Sequence, residues 1–281
     1  MTPSPPRVAV RSVAVLRLRS ARAVAGRDPV VVEEPLEIRL RGRPVAVVMR
    51  TPGDEFALAA GFLLTEGIVR DAADVAAIAF FSEAGGADER NVVDVTLARG
   101  ARFDARHASR AFVATSSCGV CGKASLESVF VRAPRIGSRG TVERSVLASL
   151  PARLRSRQAL FAATGGLHAA GLFDLGGRLV DVREDVGRHN AVDKVLGAAA
   201  LARRYPCPAS ILCVSGRASF EIVQKALVAR VPVVASVSAP SSLAVALARR
   251  GGLTLVGFLR GRSMNVYAGE ARIRTGRRHR K

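Results

Sequence analysis

A chain of 281 residues with 49% hydrophobic content can bury a sizeable core, which excludes a disordered chain and suits one large or two modest domains. Its formal net charge is +20, yet only four of the 43 basic residues are lysines, a bias that GC-rich codon usage produces, so the charge by itself does not argue for a nucleic-acid partner. Aromatics at 5% with no tryptophan exclude a base-stacking single-strand surface. No apolar run reaches the roughly 18–20 residues of a membrane span. Four cysteines in so long a chain do not make a disulfide framework. The opening Met1-Thr2-Pro3-Ser4-Pro5-Pro6 lacks a charged segment followed by an apolar one, so the expectation is a cytoplasmic protein with reduced thiols and no membrane partner.

In chain order, residues 1–28 read as a basic, flexible N-terminus. Residues 29–110 read as an α+β domain, with short strands at 29–32, 36–40 and 45–49 separated by Gly and Pro. Thr51 is placed to cap a helix with Pro52 at its first position, and Phe56, Leu58, Ala59, Phe62 and Leu63 give that helix one apolar face. A turn at 85–88 precedes a strand at 91–97. Residues 111–140 read as a mobile loop and basic linker around Thr115-Ser116-Ser117-Cys118-Gly119-Val120-Cys121-Gly122-Lys123, followed by a short helical run at 124–130.

From 158 to 270 the rhythm becomes strand, loop, helix. Strands are expected at 159–163, 179–182, 211–214, 231–237 and 253–259, with helices at 190–201, 218–229 and 242–248. This argues for a C-terminal α/β layer sandwich over 141–270 with much parallel sheet, ending in a basic tail at 271–281.

The two thiols carry the most chemistry. A cysteine beside a cation and a helix start ionises readily, whereas a packed one is inert. Lys123 and the run after it supply that setting for Cys118 and Cys121, while Cys213 lies in an apolar strand and Cys207 between two prolines. A four-thiolate zinc site needs a second close pair. A zinc deaminase needs His-x-Glu ahead of Pro-Cys-x-x-Cys; here Ser117 stands for that proline and His107-Ala108-Ser109 lacks the acid, so no metal is expected. A P-loop also fails, because Ala124 follows Lys123. The local residues favour a reactive pair over a structural one, and leave a thioredoxin-like dithiol open.

Three turns at strand ends carry Ser, Gly and Arg: 215–217, 238–242 and 260–262. Ligands bind beyond the carboxyl ends of strands in open α/β sheets, where helix N-termini and arginine forks suit anions. Together these turns point to an anionic, nucleotide-like ligand. The charged run Arg183 to Lys194 reads either as a capped, salt-bridged helix start or as a site in which His189 or Asp193 handles a proton or ligand.

These motifs together resemble the formate dehydrogenase accessory protein family, FdhD/NarQ. The resemblance is carried by Thr51-Pro52-Gly53-Asp54-Glu55, Gly61-Phe62-Leu63, Glu66-Gly67, Ser116-Ser117-Cys118-Gly119-Val120-Cys121-Gly122 and Thr164-Gly165-Gly166-Leu167-His168. It continues through Glu184-Asp185-Val186-Gly187-Arg188-His189-Asn190-Ala191-Val192-Asp193-Lys194, Ser215-Gly216-Arg217, Gly257-Phe258 to Arg262, and Asn265-Val266-Tyr267. It implies a sulfurtransferase that takes persulfide sulfur from a cysteine desulfurase. The acceptor it implies is the molybdenum cofactor (Mo-bis molybdopterin guanine dinucleotide), which a guanine nucleotide can mimic, on its way to formate dehydrogenase. It implies a homodimer with a cytidine-deaminase-like C-terminal fold lacking zinc. By motif position Cys118 would carry the persulfide and Cys121 would assist. Phe258, Leu259, Arg260, Gly261, Arg262 and Ser263 would hold the cofactor, with Ser215, Gly216, Arg217 and His189 beside it. The alternatives are a Cys118–Cys121 dithiol oxidoreductase and a non-catalytic nucleotide- or nucleic-acid-binding module.

Overall fold

The computed structural model describes residues 8–20, 22–81, 89–101, 133–137 and 140–275. The thiol loop with Cys118, Cys121 and Lys123, the helical run at 124–130, His107 and the turn at 85–88 lie outside the described residues.

The first departure from expectation is at the N-terminus. Instead of a flexible arm, β1 (Val10–Arg19) and β2 (Arg22–Val31) form an antiparallel hairpin. The arginines that read as a charged tail are cross-strand partners: Arg17 donates to the Arg27 carbonyl and to Asp28, both at 2.7 Å, and Arg27 donates to Ser12. The expected strand at 29–32 is the return leg of this hairpin.

A four-stranded sheet follows, in the order β4-β3-β6-β5, from β3 (Glu34–Leu40), β4 (Arg43–Arg50), β5 (Val75–Phe80) and β6 (Val92–Leu97). Leu36, Ile38 and Leu40 alternate inward from β3, and Val93, Val95 and Leu97 do the same from β6, the period of two that places one face on a core. Helix α1 (Glu55–Thr65) closes that core with Leu58, Ala59, Phe62 and Leu63. It starts later than expected. Gly53 at φ +104° and Asp54 at φ +61° are left-handed, so the helix cannot run through them. Thr51 is instead a bridge: its N–H donates to Asp185 and its hydroxyl accepts from the Val186 N–H, both at 3.1 Å.

The second sheet has six strands, β13-β12-β11-β10-β8-β9: β8 (His168–Asp174), β9 (Leu179–Asp185), β10 (Ser210–Val214), β11 (Val233–Ser236), β12 (Thr254–Arg260) and β13 (Ser263–Ala268). Only β10/β11 and β11/β12 are parallel. The other three pairings are antiparallel, so the sheet is mixed and less parallel than expected. Helix α2 (Arg144–Arg155) packs Leu147, Leu150 and Leu154 on one face, against Phe173, Ile211, Cys213 and Val256. Helices α4 (Arg188–Leu201), α5 (Phe220–Val228) and α6 (Ser242–Gly251) cover the other, where Leu172, Leu212, Val234 and Leu255 point.

Residues 159–163, expected as a strand, form α3 (Ala159–Thr164). The Glu184 carboxylate from β9 accepts the Leu160 and Phe161 N–H groups at 3.0 and 2.8 Å, neutralising a helix start that local sequence does not advertise. The basic tail is also partly built in: β14 (Ile273–Arg274) pairs in parallel with β7 (Val142–Glu143), and Arg272 is buried. Among the described residues no helix is long and apolar enough to cross a membrane.

The two sheets meet through α1 and α4. A Cβ on Gly61 would fall on the Asp193 carbonyl oxygen and 2.9 Å from its Cα, and a Cβ on Gly197 would fall on the Ala57 carbonyl, 2.6 Å from Gly61 N. Two glycines thus let the helix backbones touch.

Candidate functional site

The carboxyl ends of β10, β11 and β12 are laced into one platform. The Ser215 N–H donates to the Ala169 carbonyl, and Ser215 Oγ accepts from the Ala169 N–H at 2.9 Å. Ser236 Oγ donates to the Gly216 carbonyl at 2.7 Å, the Ala218 N–H donates to Ala239, and the Phe258 N–H donates to Ser238 at 3.1 Å. Because β8 runs antiparallel to β10, its first residue, His168, arrives at the same edge. A Cβ on Gly216 would stand 3.2 Å from His168 Nδ1, so this glycine is the residue that lets the turn lie against the imidazole.

The structure brings Ser215, Gly216 and Arg217 together with His168, and ties them through Ser238 to the base of the β12–β13 hairpin. Phe258 is exposed and held at φ +50°, a left-handed strain that the pairing shift between Gly257 and Arg260 imposes. Arg260, Gly261, Arg262 and Ser263 form the exposed hairpin tip, steadied where Arg144 donates to the Arg262 carbonyl at 3.0 Å. Among the described residues no hydrogen bond or ion pair joins this tip to 215–217. Leu259 is different: it is fully buried in the core beneath α2, so its side chain anchors the hairpin and offers nothing to a ligand.

His189 is 5% exposed at the start of α4. Its Nε2 is 3.2 Å from Ser219 Oγ and 3.8 Å from the Glu221 carboxylate. Burial, then Arg188 and Arg217, hold the His168 imidazole below the usual histidine range against the opposing pull of Asp185.

The rest of the charged run is structural. Asp185 is fully buried and pairs with Lys194 at 2.8 Å. It also accepts from Thr51 N, Gly187 N and Asn190 Nδ2. Lys194 donates to the Thr51 carbonyl and Asn190 to the Met49 carbonyl. One turn on, Asp193 accepts from Thr65 at 2.7 Å and pairs with Lys225, which also reaches Glu66 at 2.9 Å. Both pairs join the first sheet's unit to the second. Of the two readings of this run, the salt-bridged, capped one describes Arg183, Glu184, Asp185, Asp193 and Lys194.

Burial pushes the Cys207 thiol up to about 11 and the Cys213 thiol up to about 12. At pH 8 the first would be ionised in roughly one molecule per thousand, so neither is a nucleophile. Iodoacetamide on the native protein at pH 8 is therefore expected to label at most two thiols per chain, Cys118 and Cys121. All four should react after unfolding; native labelling at Cys207 or Cys213 would contradict the burial.

The most informative omission of sequence reasoning is a cleft of about 580 Å³ beside this platform, lined by Gln158, Phe161, Leu167, His168, Ser215 and Val237 among others. The Thr164-to-His168 run hinted at it, as a backbone that could approach a ligand, but nothing in the sequence draws Gln158 to Ser215.

The comparisons with known proteins agree over most of the chain. The profile of the FdhD/NarQ family matches residues 31–274. A Streptomyces avermitilis protein named "Sulfur carrier protein FdhD" is 54% identical over 269 residues, covering 92% of this chain and 94% of its own. One of the same name from Sulfolobus acidocaldarius is 41% identical over 264 residues, covering 94% and 98%. A crystal structure of a candidate formate dehydrogenase accessory protein from Desulfotalea psychrophila superposes with a TM-score of 0.74 at 26% identity, covering 95% of this chain and all of that one. A match that spans the hairpin's end, both sheets and the edge on which Ser215, His168 and Phe258 converge has one consequence: this chain belongs to the FdhD/NarQ family.

Proposed function

We propose that the protein is a sulfur carrier for formate dehydrogenase, a sulfurtransferase working through a persulfide on Cys118. The observation that supports it most is the division of labour among the four thiols. Cys207 and Cys213 are sealed in the core with raised pKa values, so sulfur chemistry falls to Cys118 and Cys121 by chemistry as well as by motif. The names of the relatives favour the same reading.

In this reading the Cys118 thiolate attacks the outer sulfur of a persulfide on a cysteine desulfurase. The donor's S–S bond breaks, the donor leaves as a thiolate, and Cys118 carries the added sulfur. For release, the Cys121 thiolate attacks the inner sulfur. A Cys118–Cys121 disulfide forms, the outer sulfur departs with the electron pair as sulfide, and a cellular dithiol later reduces the disulfide. The acceptor is the molybdenum cofactor with its guanine dinucleotide, bound as substrate. Arg260 and Arg262 at the hairpin tip and Arg217 beside Ser215 are exposed forks suited to its phosphates, and Phe258 offers a strained, exposed aromatic face next to them. His189 lies beneath this edge, placed to hold the Ser219 turn. A cytoplasmic homodimer with deaminase-like layering of the second sheet completes the proposal.

The test is peptide mass spectrometry after incubation with a cysteine desulfurase and cysteine. One added sulfur on the peptide carrying Cys118, removable by reductant and lost in Cys118→Ala, is the expected result. A folded protein that gains no sulfur from an active desulfurase would overturn the proposal and favour the dithiol reading.

A further inference from the structure

We propose that the amino edge of the parallel strands, opposite the platform, carries a ligand site of its own, which takes a small molecule bearing a phosphate monoester. The site is a cavity of about 930 Å³ lined by Arg135, Arg249, Leu253, Tyr267, Glu270 and Arg272 among others. Leu253 stands just before β12, so the cavity lies at the other end of that strand from the hairpin tip, roughly 20 Å away at about 3.3 Å per residue. The inference goes beyond the sulfur-carrier reading and does not depend on it.

The observation behind it is Arg272, which is 8% exposed. Among the described residues no carboxylate pairs with it. Its Nη1 donates to Thr254 Oγ1 at 2.6 Å and to the Gly252 carbonyl at 3.4 Å, and its Nη2 donates to the Gly137 carbonyl at 3.1 Å. Its buried Nε donates to nothing. Every acceptor here is neutral. Burial pulls the Arg272 pKa down, and no acid raises it. A buried charge normally has an opposite charge beside it. Arg272 does serve α6, because Gly252 closes that helix's C-terminus. Yet a helix end supplies only about half a negative charge, and the same cavity holds two more arginines.

Arg135 is exposed on the segment 133–137, which is tied to the end of α6 where the Ile136 N–H donates to the Gly251 carbonyl at 2.8 Å. Arg249 uses its Nε on the Tyr267 carbonyl at 3.2 Å. Neither arginine has an acid partner among the described residues. Glu270, the one acid among the described lining residues, is exposed and pairs with none of the three. Three guanidinium charges set against one carboxylate and a helix end leave a surplus of roughly one and a half. A phosphate monoester carries about that charge near pH 7, and arginine forks suit its oxygens. An inorganic ion would leave most of the volume empty. Ile136, Leu253, Val266 and Tyr267 supply apolar wall beside the charges, as small-ligand sites do, so the phosphate is the end group of a larger molecule.

Calorimetry on the full chain measures the binding of ribose 5-phosphate, glycerol 3-phosphate and inorganic phosphate, with ribose as the uncharged control. The variants are Arg135→Gln, Arg249→Gln and Arg272→Lys, with Arg260→Gln at the opposite edge for comparison, and thermal melting checks each fold. At least one monoester is expected to bind more tightly than inorganic phosphate, and ribose not to bind. Arg135→Gln and Arg249→Gln should each weaken the monoester about tenfold, the loss of one charge-assisted hydrogen bond, while Arg260→Gln leaves it unchanged. Arg272→Lys keeps the charge without the fork and should weaken binding as well; if that variant does not fold, the two exposed variants carry the test. The proposal is overturned if no monoester binds or if both exposed variants bind as the wild type does. An equal loss in Arg260→Gln would overturn it too, by showing attraction to the chain's net charge alone. Inorganic phosphate binding as tightly as the monoesters would overturn the assignment to an ester.

Discussion

Gly61→Ala is expected to lower the unfolding free energy by about 3 kcal/mol or more, and Gly61→Val to prevent folding. On an exposed helix the alanine substitution would stabilise by about 1 kcal/mol through propensity. Here the added methyl meets the Asp193 carbonyl, with the carbonyl carbon at 2.6 Å and Cα at 2.9 Å. These are backbone atoms and cannot rotate away. The helices must part, and the same motion draws Thr65 from Asp193 and Lys225 from Glu66. Overpacking and a loosened buried ion pair therefore act together and outweigh propensity. Gly197→Ala should behave alike, since its methyl meets the Ala57 carbonyl from the other side. Urea unfolding followed by circular dichroism measures both. A Gly61→Ala protein as stable as the wild type would mean that the helices are not in backbone contact.

Some of this architecture was legible in the residues and some was not, and the dividing line is locality. The helix from 190 to 201 and the strands at 211–214 and 233–236 announce themselves by apolar runs between Gly, Pro and Ser. The stretch at 159–163 does not: Ala-Leu-Phe-Ala-Ala has no period, and the group that makes it a helix is Glu184, more than twenty residues later. The N-terminal hairpin was hidden because its arginines pair across strands. Thr51 looked like a cap because the left-handed turn at Gly53 and Asp54 leaves no mark on a pattern of capping residues. The site shows the same split. Ser215, Gly216 and Arg217 were visible as a turn at a strand end, whereas Phe258 entered only through the family resemblance. Gln158 and the cleft it lines exist only because β8 runs antiparallel to β10, a fact of topology. Leu259 was counted with the hairpin's surface, although the strand's own alternation turns it inward.

The buried pair Asp185–Lys194 provides the second large effect. Lys194→Met should cost about 3 kcal/mol and Asp185→Ala about 5 kcal/mol, the range for breaking a buried pair from one side. The order follows from the contacts. Without the lysine, Asp185 keeps three donors, from Thr51, Gly187 and Asn190. Without the aspartate, those three and a buried ammonium lose their common acceptor, and among the described residues Lys194 retains only the Thr51 carbonyl. The double variant should be well short of additive, by about 1–3 kcal/mol, because each single change already pays for the stranded partner. Salt should alter these values little, since Lys194 is 1% exposed and Asp185 is fully buried. Chemical unfolding of the four proteins closes the cycle, and additivity within about 0.5 kcal/mol would show that the two charges do not depend on each other. The functional consequence is positional. Asp185 is the cross-strand partner of His168, and Thr51 reaches it from the other sheet's unit. Loosening this pair therefore displaces the strand that brings His168 to the platform's edge.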